Sequence, residues 1–73
     1  IEVDLVIRDR EHLLIEVKSS VSKGDVVELK RIGELYEKVR GVRPKLAVVS
    51  PYVDERAKEM ARIFGIEVYT SVE

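Results

Sequence analysis

Apolar and polar residues alternate along the first eight positions: Ile1, Val3, Leu5 and Ile7 form one set, and Glu2, Asp4, Val6 and Arg8 the other. A period of two belongs to a half-buried β-strand. After a polar break at Asp9-Arg10-Glu11, a second strand is expected from His12 to Lys18. Its alternation puts Leu13, Ile15 and Val17 on a core stripe and Glu16 and Lys18 together on the other side. Two such runs across a short break predict a hairpin. A three-residue loop pairs Arg8 with His12, Leu5 with Ile15 and Val3 with Val17. That register gathers these apolar residues on one face, and it sets Asp4 directly opposite Glu16.

The period then changes. Ser19 to Gly24 reads as a loop, with Ser22 a helix N-cap and Asp25 three residues on in capping-box spacing. A helix is expected from there to about Arg40, because Val26, Leu29, Ile32 or Gly33, Tyr36 and Val39 recur at helical spacing and Gly41 fits the C-terminal cap. Val42-Arg43-Pro44 is a connection. Lys45 to Ser50 is apolar on both faces at Leu46-Ala47-Val48-Val49, as an interior strand would be. A second helix is expected over Asp54–Phe64, with the stripe Ala57, Met60, Ala61 and Phe64, ending at Gly65. Ile66 to Thr70 is a last strand, and Ser71 to Glu73 is expected to fray.

The element order is therefore ββαβαβ, an α/β fold in a single domain over residues 1–73. Right-handed crossovers lay the third and fourth strands beside the second, giving a four-stranded mixed sheet of order 1-2-3-4 with both helices on one face. In the register above, the helices cover Val3, Leu5, Ile15 and Val17. The opposite face then carries Asp4, Glu16, Lys18, Val6, Leu14 and an apolar row of the third strand. That uncovered face implies a partner chain, hence a homo-oligomer, or a missing N-terminal segment.

Composition narrows the class. The chain has 73 residues and no cysteine, which removes disulfides and thiolate metal sites and makes an intracellular, cytoplasmic protein the easier reading. These residues hold no apolar run of membrane-spanning length, and a signal peptide is not expected among them. The chain starts inside a strand pattern without methionine, as part of a longer protein would. Charged residues reach 37% yet cancel to −1, so no overall basic charge marks a nucleic-acid binder; such binding would need local clustering or metal ions. The absence of Asn and Gln beside abundant Glu, Lys, Arg and Val is typical of a thermophile, and such an origin is the expectation.

The chemistry centres on Asp4, Glu16 and Lys18. Two carboxylates about 5 Å apart repel by roughly 3 kcal/mol at an effective dielectric of about 20. Like charges facing each other in a sheet destabilise it. A divalent cation between them resolves the conflict: Mg²⁺ takes a carboxylate or two together with waters and phosphate oxygens, and it activates water for phosphodiester hydrolysis. Lys18, on the face of Glu16, is placed to hold that water or to stabilise charge developing on the phosphate.

Asp4 in one strand, Glu16-Val17-Lys18 near the end of the next, and a helix and strand after them resemble the PD-(D/E)XK nuclease superfamily. The stretches Ile15 to Ser20, Val48 to Pro51 and Gly65 to Tyr69 look closer still to archaeal, Holliday-junction-resolvase-like members. The resemblance covers nearly the whole chain. It implies a restriction-endonuclease-like core, Mg²⁺ or Mn²⁺ as cofactor and DNA as substrate. By the same likeness Asp4 and Glu16 would be metal ligands, the Val17 carbonyl a further ligand and Lys18 the catalytic lysine. Two features depart from the family pattern. Its core normally begins with a helix and one more strand, both of which would precede Ile1. RecB-type members also carry a glutamine four residues before a helical tyrosine, where this chain has Ile32 before Tyr36.

The remaining polar and aromatic residues read as ordinary structure. A second Glu-x-Lys, Glu28-Leu29-Lys30, lies in a helix that splays its charges apart. Glu2 is a strand end, His12 a surface residue of the hairpin, and Ser19 and Ser20 loop positions. Lys23, Lys30 and Arg31 form at most a solvated basic rim. Tyr36, Tyr52, Tyr69 and Phe64 are expected in or at the edge of the core, too scattered to stack bases. The competing reading is a non-catalytic module that keeps the nuclease fold and dimerises through the open face.

Overall fold

The computed structural model describes residues 2–70. The expected order of elements is found: β1 (Asp4–Arg8), β2 (Glu11–Val17), α1 (Lys23–Arg40), β3 (Lys45–Val49), α2 (Glu55–Phe64) and β4 (Glu67–Tyr69). The expectations for Ile1 and for Ser71 to Glu73 fall outside the described residues. The strands form one sheet in the order β1-β2-β3-β4, with β1 antiparallel to β2 and the other pairings parallel.

Local chemistry accounts for the helix ends. Asp25 accepts from the Ser22 amide at 2.8 Å, closing the capping box, and Gly41 takes a left-handed φ of 72° to end α1. In α2, Asp54 accepts from the Ala57 amide at 2.7 Å and Gly65 ends the helix at φ 73°. Between them, the two helices and the sheet enclose Leu14, Val26, Leu29, Leu46, Val48, Ala57, Ala61 and Ile66. Gly33 lets α1 approach β3 closely, since a Cβ there would stand 3.0 Å from both Leu46 methyls. Val39, expected on the apolar stripe of α1, is exposed.

The hairpin register differs from expectation by one residue. Asp4 pairs with Ile15, Leu5 with Leu14, Val6 with Leu13, Ile7 with His12 and Arg8 with Glu11. The loop has two residues, Asp9 and Arg10, both left-handed at φ 51° and 70°. This is the backbone of a type I′ turn, whose twist matches the strands it joins. The usual Gly is absent from Asp-Arg, which hides the turn in the sequence. Neither does the apolar run Leu13-Leu14-Ile15 specify a face by itself.

The consequence reverses β2. Leu14 and Glu16, level with Leu46 and Val48 of β3, face the helices, while Leu13, Ile15 and Val17 do not. The uncovered face instead carries Asp4, Val6, Leu13, Ile15, Val17, Ala47, Val49 and Tyr69, with Val17 64% exposed. Leu5 and Ile7, at the β1 edge on the helix side, are also exposed. His12 is half-buried rather than on the surface: its Nδ1 hydrogen-bonds the Tyr36 hydroxyl, with the rings edge to face.

Because Arg10 holds a conformation that disfavours side chains, Arg10→Gly is expected to stabilise the chain by about 1 kcal/mol. Urea unfolding checks this; a loss of stability would mean that Arg10 is not strained in this turn.

Candidate functional site

The site is built at the C-terminal end of β2, where parallel strands and the helix starts that follow them meet. The ladder continues past Val17, as the Lys18 amide donates to the Val49 carbonyl at 3.1 Å. Alternation keeps Glu16 and Lys18 on one side, as the sequence indicates, but that side is the one under α1. Glu16 is 1% exposed, and neither of its carboxylate oxygens has a hydrogen-bond partner among the described residues.

An enclosed, unpartnered carboxylate is costly when charged. Burial raises the pKa of Glu16 above its ordinary 4.5; the Lys18 charge opposes this, and the Asp25 charge adds to it. Lys18 makes no bond to Glu16. Its ammonium instead donates to Asp25 Oδ1 at 2.8 Å, with the two side chains 40% and 24% exposed. This bond raises the Lys18 pKa, and the same bond, followed by those from Ser22, lowers that of Asp25.

Asp4 stands apart from this cluster. It lies on β1 opposite Ile15, and the alternation of β1 turns its side chain to the uncovered face, away from that of Glu16. The cross-strand facing of Asp4 and Glu16 is therefore corrected by the two-residue turn. Among the described residues, no three acidic or histidine side chains converge as a metal-binding group. Asp25 is the residue that sequence reasoning missed. Its capping-box spacing explained it fully as a helix start, and its bond to Lys18 spans a loop that no local pattern encodes.

The adjacent loops are firmly held. Val21 bridges Val53, its amide donating to the Tyr52 carbonyl at 2.9 Å. Buried Ser50 donates from Oγ to the same carbonyl at 2.9 Å and accepts from the Tyr52 amide at 3.2 Å. The Tyr52 ring nevertheless projects outward, 65% exposed, rather than joining the core edge. Tyr69 is also exposed and donates to Glu67 at 2.9 Å. Of the basic residues of α1, Lys30 lies over the Phe64 ring and Arg31 pairs with Glu28.

The family model of the PD-(D/E)XK nuclease superfamily matches residues 1–67. Among solved structures, a repair endonuclease from Pyrococcus abyssi aligns with a TM-score of 0.82 at 22% identity, covering 94% of this chain. The apo form of EndoMS aligns with a TM-score of 0.82 at 19% identity, covering 97%. At these identities the likeness is one of fold. The chain spans 32% of the length of each of those two proteins. No curated protein matches it.

Replacing the buried acid tests its charge. A raised folded-state pKa means that the folded chain holds the Glu16 proton more tightly than the unfolded chain. Its destabilisation is absent below the unfolded value of 4.5, grows as pH rises through the folded value and is complete above it. Glu16→Gln is therefore expected to raise the Tm at neutral pH, with the gain vanishing below about pH 4. A Tm difference independent of pH would show that the carboxylate is not titrating from a buried state.

Proposed function

Since the chain belongs to the PD-(D/E)XK nuclease superfamily, we propose that it forms part of a metal-dependent endonuclease that hydrolyses phosphodiester bonds in DNA. The observation that carries this reading is Glu16: a carboxylate closed off from water, with no hydrogen-bond partner for either oxygen among the described residues, two residues before a lysine. A structural acid so placed would be expected to have a donor. Open oxygens instead suit a cation.

Members of the superfamily generally use divalent metal ions. The residues proposed to hold Mg²⁺ or Mn²⁺ are Glu16, the Val17 carbonyl and Asp4, the last contributed from the neighbouring strand. When bound, such an ion polarises the phosphodiester and lowers the pKa of a water. Lys18 supplies a fixed positive charge beside Glu16, suited to orient the attacking water or to stabilise negative charge on the phosphate oxygens. Exposed Tyr52, on its pinned loop, offers an aromatic surface at the same end of the sheet. A DNA substrate is in keeping with the repair endonuclease from Pyrococcus abyssi whose fold this chain shares.

A specific observation favours a second reading, a non-catalytic module that pairs with another copy of itself. Val6, Val17 and Tyr69 stand exposed in an apolar band across the sheet, whose opposite end carries the Lys45–Glu11 ion pair. A second copy related by a two-fold axis would cover the band with the same band. No helix among the described residues is long and apolar enough to cross a membrane.

Two measurements separate the readings. Calorimetric titration of Mn²⁺ and Mg²⁺ is expected to show binding that Glu16→Ala abolishes and Asp4→Ala weakens; an unaltered isotherm in both variants would leave only the fold. Sedimentation velocity is expected to show dimers that Val17→Lys dissociates. A strictly monomeric chain at high concentration would count against pairing through the open face.

A further inference from the structure

Lys18 follows Glu16 by two residues, its amide continuing the ladder just past the end of β2, and the two carry opposite charges. Left to themselves they would pair, since the buried carboxylate has no donor among the described residues. They do not pair. The Lys18 ammonium goes to Asp25 Oδ1 at 2.8 Å, while Asp25 Oδ2 accepts from the Ser22 amide at 2.8 Å and from the Ser22 hydroxyl at 3.1 Å. Each oxygen of Asp25 thus has a separate task. One closes the first turn of an 18-residue helix, and the other holds the lysine.

We infer that Asp25 is a positioning residue, which anchors Lys18 to the start of α1 and so keeps both oxygens of Glu16 free for a cation. The inference rests on the proposed metal-dependent reading of Glu16 and adds the device that keeps it available. Without Asp25, the flexible stem of Lys18 lets its ammonium turn to the nearest unpaired carboxylate. The result is a closed Glu16–Lys18 pair that neutralises the metal ligand. Asp25 wins the lysine because it is partly solvated and fixed by its own helix cap, so pairing there does not strip the ammonium of water. Sequence spacing alone does not reveal this, as Asp25 is seven residues from Lys18 across a loop.

The test has two arms on the full chain. The first follows the lysine side-chain ammonium groups by ¹⁵N relaxation, with the Lys18 signal assigned by its loss in Lys18→Met. Lys18 is expected to be the most ordered lysine in the unaltered chain and to lose that order in Asp25→Asn, whose amide oxygen can still cap the helix. Ser22→Ala, which weakens the cap but retains the carboxylate, is expected to leave Lys18 ordered. An equally ordered Lys18 in Asp25→Asn would overturn the inference.

The second arm measures Mn²⁺ affinity by calorimetry. Asp25→Asn is expected to weaken binding roughly tenfold when Lys18 is present. On the Lys18→Met background the same change is expected to cost less than about twofold. Equal losses on both backgrounds would mean that Asp25 acts by its own charge or as a ligand, and would overturn the positioning role. If the unaltered chain binds no Mn²⁺, the metal reading of Glu16 fails, and the ammonium relaxation alone decides whether Asp25 sets Lys18.

Discussion

The register of β1 against β2 governs the rest of the structure, because a strand has two faces and one residue of slip exchanges them. The two-residue turn at Asp9-Arg10 places Leu5 across from Leu14 and Asp4 across from Ile15. From that pairing, and from the parallel alignment of Leu14 with Leu46 and Glu16 with Val48, Glu16 is carried beneath α1. A carboxylate in an otherwise apolar layer follows directly. So does the apolar band on the far side, since Leu13, Ile15 and Val17 must face outward if Leu14 and Glu16 face inward.

Burying Glu16 without a donor among the described residues works against stability in a chain of 73 residues, whose core is small. The surrounding structure is correspondingly well tied. Both helices have side-chain caps and left-handed glycine ends. The loops after β2 and β3 are bridged through Val21 and Val53, and Ser50 fixes the backbone of Tyr52 with two hydrogen bonds. Local conflict held by firm surroundings is the usual condition of a site whose groups are kept for chemistry. The Lys18 charge, which opposes the raised pKa of Glu16, is hydrogen-bonded to Asp25.

The chain belongs to the nuclease superfamily, and at the end of β2 it buries Glu16 with no hydrogen-bond partner for its carboxylate among the described residues. The structure adds two qualifications to the family pattern. Asp4 sits level with Ile15 on the uncovered face, so a role beside Glu16 asks its side chain to pass the β1 edge. The uncovered face and the exposed Leu5 and Ile7 together leave β1 with little cover on either side. Burial of this strand and the reach of Asp4 are thus linked, because whatever covers β1 also influences where that side chain can go.

Several features were determined by the sequence alone, and each depends on neighbours along the chain. Helical spacing from Val26 to Tyr36, the Ser22–Asp25 box, Gly41 and Gly65 set the helices, because caps and periodicity are local physics. Short right-handed crossovers set the strand order. Alternation put Glu16 and Lys18 on one side. Which side that is lay beyond it, because Leu13, Leu14 and Ile15 are all apolar and either face of β2 reads as core. Only the turn backbone and the packing of Leu14 against Leu46 and α1 decided the matter. The bond from Lys18 to Asp25, the pairing of His12 with Tyr36 and the exposure of Tyr52 belong to the same class. Each joins or separates residues distant in the chain, and such relations exist only once the sheet and helices have packed.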